Sequence, residues 1–392
     1  MKKAIVFFCA AALFGALLPG CGTGRELNSL ALVMGVAIDK GAGKNEYEVT
    51  AQLAQTPTSV SDSEGTGAPN DGAYENLTKI GVGVAAAMQE ISRVQSRALY
   101  TGHIQLVVIS REVAEEGIEP ILNYFIGSAD GRLSTLLLIA ENDAKELLES
   151  KSAAAKSPAA GLAELIETRV KAGELTRPSM LSFLNDMLDG LTASMLPVVS
   201  TKKDKNDNDI IQITGAAAFD GAVLSEVMPL KIAQAILTLR DKTGGGYLTV
   251  QTDGGYMTLR VKKASSRVRT EIIDGTPKIK VTVNREYLVD DSTLELDFSN
   301  ENSRAEAEAF AKEELSRLLN NALRWAKRYK LDVFAFGEQL RRYHRHESEP
   351  WLEDWRGFFP ELDVELEINV KILGTGATIK GLEPAERQGE NK

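Results

Sequence analysis

The stretch HIQLVVISREVAEEGIEPILNYFIGSADGRLSTLLLIA, residues 103–140, decides the fold class of the 392-residue chain. HIQLVVIS centres on a short apolar run bounded by polar residues, the pattern of a strand. REVAEEGIEPILNYFI is helical in two pieces, with Gly117 and Pro120 at the break. RLSTLLLIA is a second strand. NDAKELLES (142–150) is a further helix, with Asn142 or Asp143 as its N-cap.

Working outward, ELNSLALVMGVAID (26–39) reads as a buried strand. EYEVTAQLAQ alternates at Tyr47, Val49, Ala51 and Leu53, as a half-buried strand does. Thr56 to Ala73 is rich in Gly, Pro, Ser and Asp and reads as a loop. Ile80, Val84, Ala87, Met88, Ile91 and Val94 share one helical face. The order β-β-α-β-α-β-α predicts a layered α/β domain. Downstream, Ser157 to Gly190 is helical with a break at Arg177-Pro178, and MLPVVS is a strand. The charged run TKKDKNDND (201–209) reads as a surface loop and as the boundary between domains 21–200 and 201–380.

The second half has a different pattern. Asp220-Gly221 between apolar runs signals a hairpin, and Pro229 opens a helix that turns Ala233, Ile236 and Leu237 inward. Strands follow near 247–251, 256–263 and 266–273, and then KIKVTVNREYLV, with Ile279, Val281 and Val283 in phase. A long helix from about Ser303 to Tyr329 precedes a shorter one over Phe334 to Tyr343. Leu362, Val364, Leu366, Ile368, Val370 and Ile372 then alternate without a fault. This predicts a mostly antiparallel sheet packed with a long helix, an α+β domain. The fold class is therefore α/β and α+β, in two to three domains, with residues 381–392 a charged tail.

The N-terminus reads as an export signal. Lys2 and Lys3 precede Ala4 to Leu18, an uncharged apolar run. As a helix it spans about 22 Å, short of a hydrocarbon core of about 30 Å. Leu18-Pro19-Gly20-Cys21 has the form of a lipobox, with an aliphatic residue three before the cysteine and a small one directly before it. Cys9, the other cysteine, lies inside the segment that cleavage would remove. Residues 1–20 are thus expected to be a lipoprotein signal peptide and Cys21 the lipid-attachment site, carrying a diacylglyceryl thioether into the membrane. The net charge of -10 gives no basic footprint, which argues against nucleic-acid binding and against electrostatic attachment to anionic lipid.

The search for catalytic chemistry finds isolated fragments. Ser200-x-x-Lys203 and Lys242-Thr243-Gly244 match motifs of penicillin-recognising serine enzymes. But Ser200 precedes a charged run rather than opening a buried helix, and the two motifs lie too close together. His344-x-His346 sits in RRYHRHESE, a solvated helix end, with no cysteine or H-E-x-x-H pattern to complete a metal site. His103 reads as a polar cap on its strand, and KTGGGYL (242–248) as a turn. Trp325, Trp351 and Trp355, with Phe334, Phe336, Phe358 and Phe359, read as core packing, or alternatively as an exposed partner patch. No catalytic residue, metal ligand or cofactor site is assigned.

Five blocks in order resemble the Ger(x)C lipoproteins, the C subunits of spore germinant receptors. They are RELNSLALVMGVAIDK after the cysteine; GHIQLVVISREVAEEGIEPILNYFI, followed by Arg132 and AKELLE; GAAAFDGAVLSEV; LDVFAFGEQLRR; and Trp351 and Trp355 with FFPELDVELEINVKILGTG. This chain has Gly127-Ser128 where many members have Arg-Asp. The resemblance implies α/β domains and a non-enzymatic subunit, lipid-anchored at the outer face of the spore inner membrane. Its implied partners are a membrane-embedded A subunit and a polytopic B subunit. A solute-binding lipoprotein of a nutrient transporter is the alternative. It would have a longer tether and two similar lobes.

Overall fold

The computed structural model describes residues 29–55, 74–150 and 157–375. The signal segment, Cys21, the 56–73 loop and the 381–392 tail lie outside the described residues. Among those described, the strands form one sheet of nine and one of four.

Four parallel strands make the centre of the first sheet: β1 (Leu30–Lys40), β5 (Leu106–Ser110), β6 (Leu136–Ala140) and β7 (Ser194–Lys203). Antiparallel strands extend it on both sides. β2 (Glu46–Ala54) and β3 (Tyr74–Val82) lie beyond β1; β8 (Asp209–Asp220) and β9 (Val223–Pro229) lie beyond β7. A short β4 (Ala98–Tyr100) pairs with the start of β1. LVVIS and LLLIA are buried at every position because helices cover both faces, which is why they read as unbroken apolar runs. One face carries α1 (Gly83–Val94), α2 (Arg111–Glu116), α3 (Glu119–Gly127) and α6 (Met180–Asp189); the other carries α4 (Ala144–Glu149) and α5 (Pro158–Lys171). At Gly35, where the pairing of β1 with β2 shifts register, a Cβ would stand 2.7 Å from that of Ala159, so glycine admits the first turn of α5.

α7 (Leu230–Leu239) leads into the second sheet, ordered β10 (Tyr247–Thr252), β11 (Gly255–Ile273), β12 (Thr276–Ser292), β13 (Asp363–Thr375). β10 to β12 are antiparallel neighbours, and β13 returns parallel to β12. α8 (Glu301–Tyr329) lies across this sheet. Its buried stripe, Ala307, Ala311, Leu315, Leu319, Ala322 and Ala326, repeats at three- and four-residue steps, and its alanines allow close approach. α9 (Phe336–Tyr343), α10 (Arg345–Leu352) and α11 (Trp355–Phe358) then close the end nearest the first sheet. A single core joins α7, α8 and the second sheet to Ala193, just ahead of β7, and to Ala216, Ala218 and Met228 of the first sheet.

Several expectations are corrected. Ile80 is on β3, not on the helix, and is 53% exposed; Val94, at the end of α1, is exposed too. β2 is buried on both faces, with Thr50 and Gln52 fully enclosed. Their polar groups are paired: Thr50 with Thr78 at 2.8 Å, and Gln52 with Asn76, the Leu148 carbonyl and the Ala159 amide. The charged run is, as expected, a surface turn, residues 204–208 joining β7 to β8, and residue 201, the proposed domain division, lies inside β7. The pieces expected at 256–263 and 266–273 are one strand with a register shift near Val261.

The N-cap of α4 is also not where local sequence placed it. Asp143 occupies the capping position without a side-chain bond. Asp39, at the end of β1, supplies the carboxylate instead, accepting from the amides of Ala144 at 2.6 Å and Lys145 at 2.9 Å. Asp39→Ala should therefore lower stability by about 1–2 kcal/mol, while Asp143→Ala changes it by less than about 0.5 kcal/mol; chemical denaturation of the two variants measures the difference.

Candidate functional site: the junction between the two sheets

The described residues bring together none of the weighed catalytic fragments. Ser200 and Lys203 are three apart on β7, so they point to opposite faces, and Lys203 pairs with Asp209 at 2.8 Å. Thr243 is buried 3.4 Å from Thr238 in the turn after α7. His103 is exposed, in a turn ahead of β5 rather than capping it. His344 donates from Nε2 to the Thr270 carbonyl at 2.9 Å, while His346 is exposed. Among the described residues no three His, Cys, Asp or Glu side chains are placed to hold a metal ion.

Open α/β sheets often bind ligands beyond the carboxyl ends of their parallel strands. Here that crevice is an open cavity of about 630 Å³ with a mostly acidic lining, and several of its charged side chains are engaged with one another. Asp39 caps α4, Lys145 bridges to Glu48 at 3.1 Å, Lys40 pairs with Glu116, and Arg111 with Glu115 at 2.7 Å. Burial raises the Asp39 pKa to about 6 despite the two amides that donate to it.

The most elaborate polar arrangement lies instead where the sheets meet. LDVFAFGEQLRR leaves α8 through Lys330 and enters α9 through Ala335, both in the left-handed region at φ 58° and 62°. This double reversal wraps the backbone around Asp332. Its Oδ1 accepts from the Phe334 amide at 3.1 Å, and its Oδ2 from the Gly337 amide at 2.8 Å and the Trp355 indole at 3.0 Å. Its main-chain oxygen accepts from the Ala193 amide, just ahead of β7, at 2.9 Å. Gly337 has to be glycine: a Cβ there would stand 2.7 Å from Trp355 Nε1 and 3.2 Å from Leu191 Cβ. Desolvation outweighs the donors and lifts the Asp332 pKa to about 6.

Aromatic rings seal this node. Phe334 stacks on Phe336 at 5.0 Å, and Trp355 packs on Phe359 at 5.9 Å. Those four are buried, whereas Trp325, Trp351 and Phe358 are half-buried around them. The aromatic group is thus mainly core. Three ion pairs bridge the rim: Arg240 forks onto Asp186 at 3.0 and 3.1 Å, Arg341 reaches Asp189, and Arg356 reaches Asp220. Sequence reading named Trp355 but missed Asp332. A lone acid between apolar residues in LDVFAF was the available signal.

Two family matches cover this architecture, and they meet inside the first sheet, between β7 and β8. The spore germination protein N-terminal domain matches residues 23–201, and the spore germination B3/GerAC-like C-terminal domain matches residues 214–376. The chain belongs to the Ger(x)C family of spore germination proteins. Curated relatives from Bacillus subtilis (strain 168) include spore germination protein KC, 23% identical over 92% of this chain and 93% of the relative. Spore germination protein B3 is 22% identical over 97% of this chain and 99% of its own. The crystal structure of the GerBC protein has the same fold, with a TM-score of 0.59 at 16% identity, covering 86% of this chain and 96% of that one.

The buried carboxyl gives a signed pH dependence. Its folded pKa is above the ordinary carboxylate value of 3.8, so the native state holds the proton more tightly. The Asp332 contribution to stability is therefore fully present below the ordinary value and is lost as pH rises through about 6. Asp332→Asn turns an amide donor toward N–H groups and should cost about 2–4 kcal/mol. Denaturation at neutral and at mildly acidic pH should show the gap between wild type and variant widening on the acid side.

Proposed function

We propose that this chain is a lipid-anchored, non-enzymatic subunit of a spore nutrient germinant receptor. It sits at the outer face of the spore inner membrane and assembles with membrane-embedded A and B subunits. The observation that carries this reading is the family match over both parts of the chain, which begins at residue 23, directly behind the lipobox cysteine Cys21.

The mechanism is confinement. A diacylglyceryl group on Cys21 buries two acyl chains at about 0.8 kcal/mol per methylene, enough for stable anchoring where one chain would not be. Restricting the chain to the membrane plane raises its effective concentration near partners that live there. The nine steps from Cys21 to Leu30, where β1 begins, span at most about 32 Å. The first strand starts later than the sequence pattern placed it, and the first sheet still stays within a domain's width of the bilayer. Among the described residues no helix is long and apolar enough to cross a membrane. The two-sheet body, held rigid by Asp332, then offers one shape to its partners.

Cys21→Ala should abolish palmitate labelling, release the chain from the inner-membrane fraction and abolish nutrient-triggered germination. Spores that germinate normally with the unlipidated variant would overturn the anchoring mechanism.

A further inference from the structure

Arg285 occupies a core position. Along β12 the side chains of Ile279, Val281, Val283, Tyr287 and Val289 point under α7 and α8, and alternation places Arg285 in the same row. It is only 4% exposed. Its guanidinium donates to the carbonyl of its own neighbour Asn284 at 3.2 Å, and among the described residues it has no carboxylate partner. The acids around it are engaged elsewhere. Glu174 pairs with Arg169 at 3.3 Å, Glu314 with Arg317 at 2.6 Å, and Asp241 accepts the Ser266 amide at 2.7 Å. A buried, uncompensated cation is costly, and an aliphatic residue would suit the row better. Desolvation accordingly pulls the Arg285 pKa below its ordinary value.

A cavity of about 310 Å³ opens beside this guanidinium. Leu315, Leu318 and Leu319 of α8 form one wall, and Thr243 and Tyr287 add polar edges. The turn after α5 closes it from the first part of the chain. Gly245 donates to the Gly173 carbonyl at 3.3 Å, and a Cβ on Gly245 would stand 1.9 Å from the Ala172 oxygen. The cavity therefore has walls from both parts. Its size falls at the small end of the range for ligand sites, about 300–1,000 Å³; its lining mixes apolar surface with four charged side chains, of which Glu174 and Glu314 are paired with other arginines, Lys231 is exposed, and Arg285 is the buried one.

We propose that this cavity binds a small carboxylate with an apolar body, the carboxylate forking onto Arg285 and the apolar part lying on Leu315, Leu318 and Leu319. One guanidinium matches one carboxylate in charge and geometry, and the two acids that also line the cavity, Glu174 and Glu314, repel a doubly charged phosphate more than a singly charged carboxylate. Occupancy would also strengthen the contact between the two parts, because the ligand touches both. The inference goes beyond the assembly role and does not rest on it.

The test uses the full chain with hexanoate as probe and hexanamide, of the same shape without the charge, as control. Millimolar hexanoate should raise the melting temperature and bind in calorimetry, and hexanamide should do neither. Arg285→Met should fold, melt at or above wild type because a buried charge is gone, and bind hexanoate at least about tenfold more weakly. Leu318→Phe, which leaves Arg285 in place but fills the apolar wall, should weaken binding by a similar factor. Absence of hexanoate binding to wild type, equal binding of hexanamide, or unchanged affinity in either variant would overturn the proposal.

Discussion

The Asp332 carboxyl is the constraint on which the arrangement of the two sheets depends. A carboxyl removed from water needs donors, and it finds them at Phe334, Gly337 and Trp355, three points on two separate turns. Collecting them fixes the exit of α8, the entry to α9 and the position of α11 together. The main-chain oxygen of the same residue holds Ala193, so the start of β7 is tied to the end of α8. Such a node is high-stakes: fully satisfied it specifies one geometry, and with a partner missing it leaves a buried polar group exposed to an apolar surround.

The surroundings support the node rather than replace it. The rings of Phe334, Phe336, Phe359 and Trp355 exclude water, which strengthens each bond to the carboxyl. The Arg240–Asp186 fork is the best-formed of the rim pairs, two parallel bonds on a largely enclosed arginine. The core then runs without a break from Met228 and α7 into α8 and the second sheet. A core joined in this way suits the lipid-anchored subunit we propose, which would have to present one fixed surface.

Where the signal was local, the sequence carried it. β5 and β6 were legible because both faces are buried and the runs are purely apolar. α8 was legible from its three- and four-residue stripe, and the β8–β9 hairpin from Asp220-Gly221. β3 was hidden because YENLTKIGV is largely polar and Ile80 falls in phase with the helix behind it. The middle of β11, KKASSR, faces mostly outward and looked like a break between strands. The cap of α4 comes from a residue more than a hundred positions away, and no local pattern encodes that. Of the candidate sites, Trp355 was visible as an aromatic. Asp332 and Arg285 are single charged residues in apolar phase, and their meaning appears only when the neighbours are in place. Cys21 rests on sequence pattern alone.

These parts combine with the function we propose into one account: a two-sheet body, anchored within a few tens of ångströms of the bilayer, that docks on membrane-embedded partners. The most direct measurement is affinity purification of the full chain from detergent-solubilised spore inner membranes, with the co-purifying proteins identified by mass spectrometry. The account predicts that two integral membrane proteins of the A and B kind are recovered in constant ratio with the chain. Recovery of the chain alone, or with a transporter permease in their place, would contradict it.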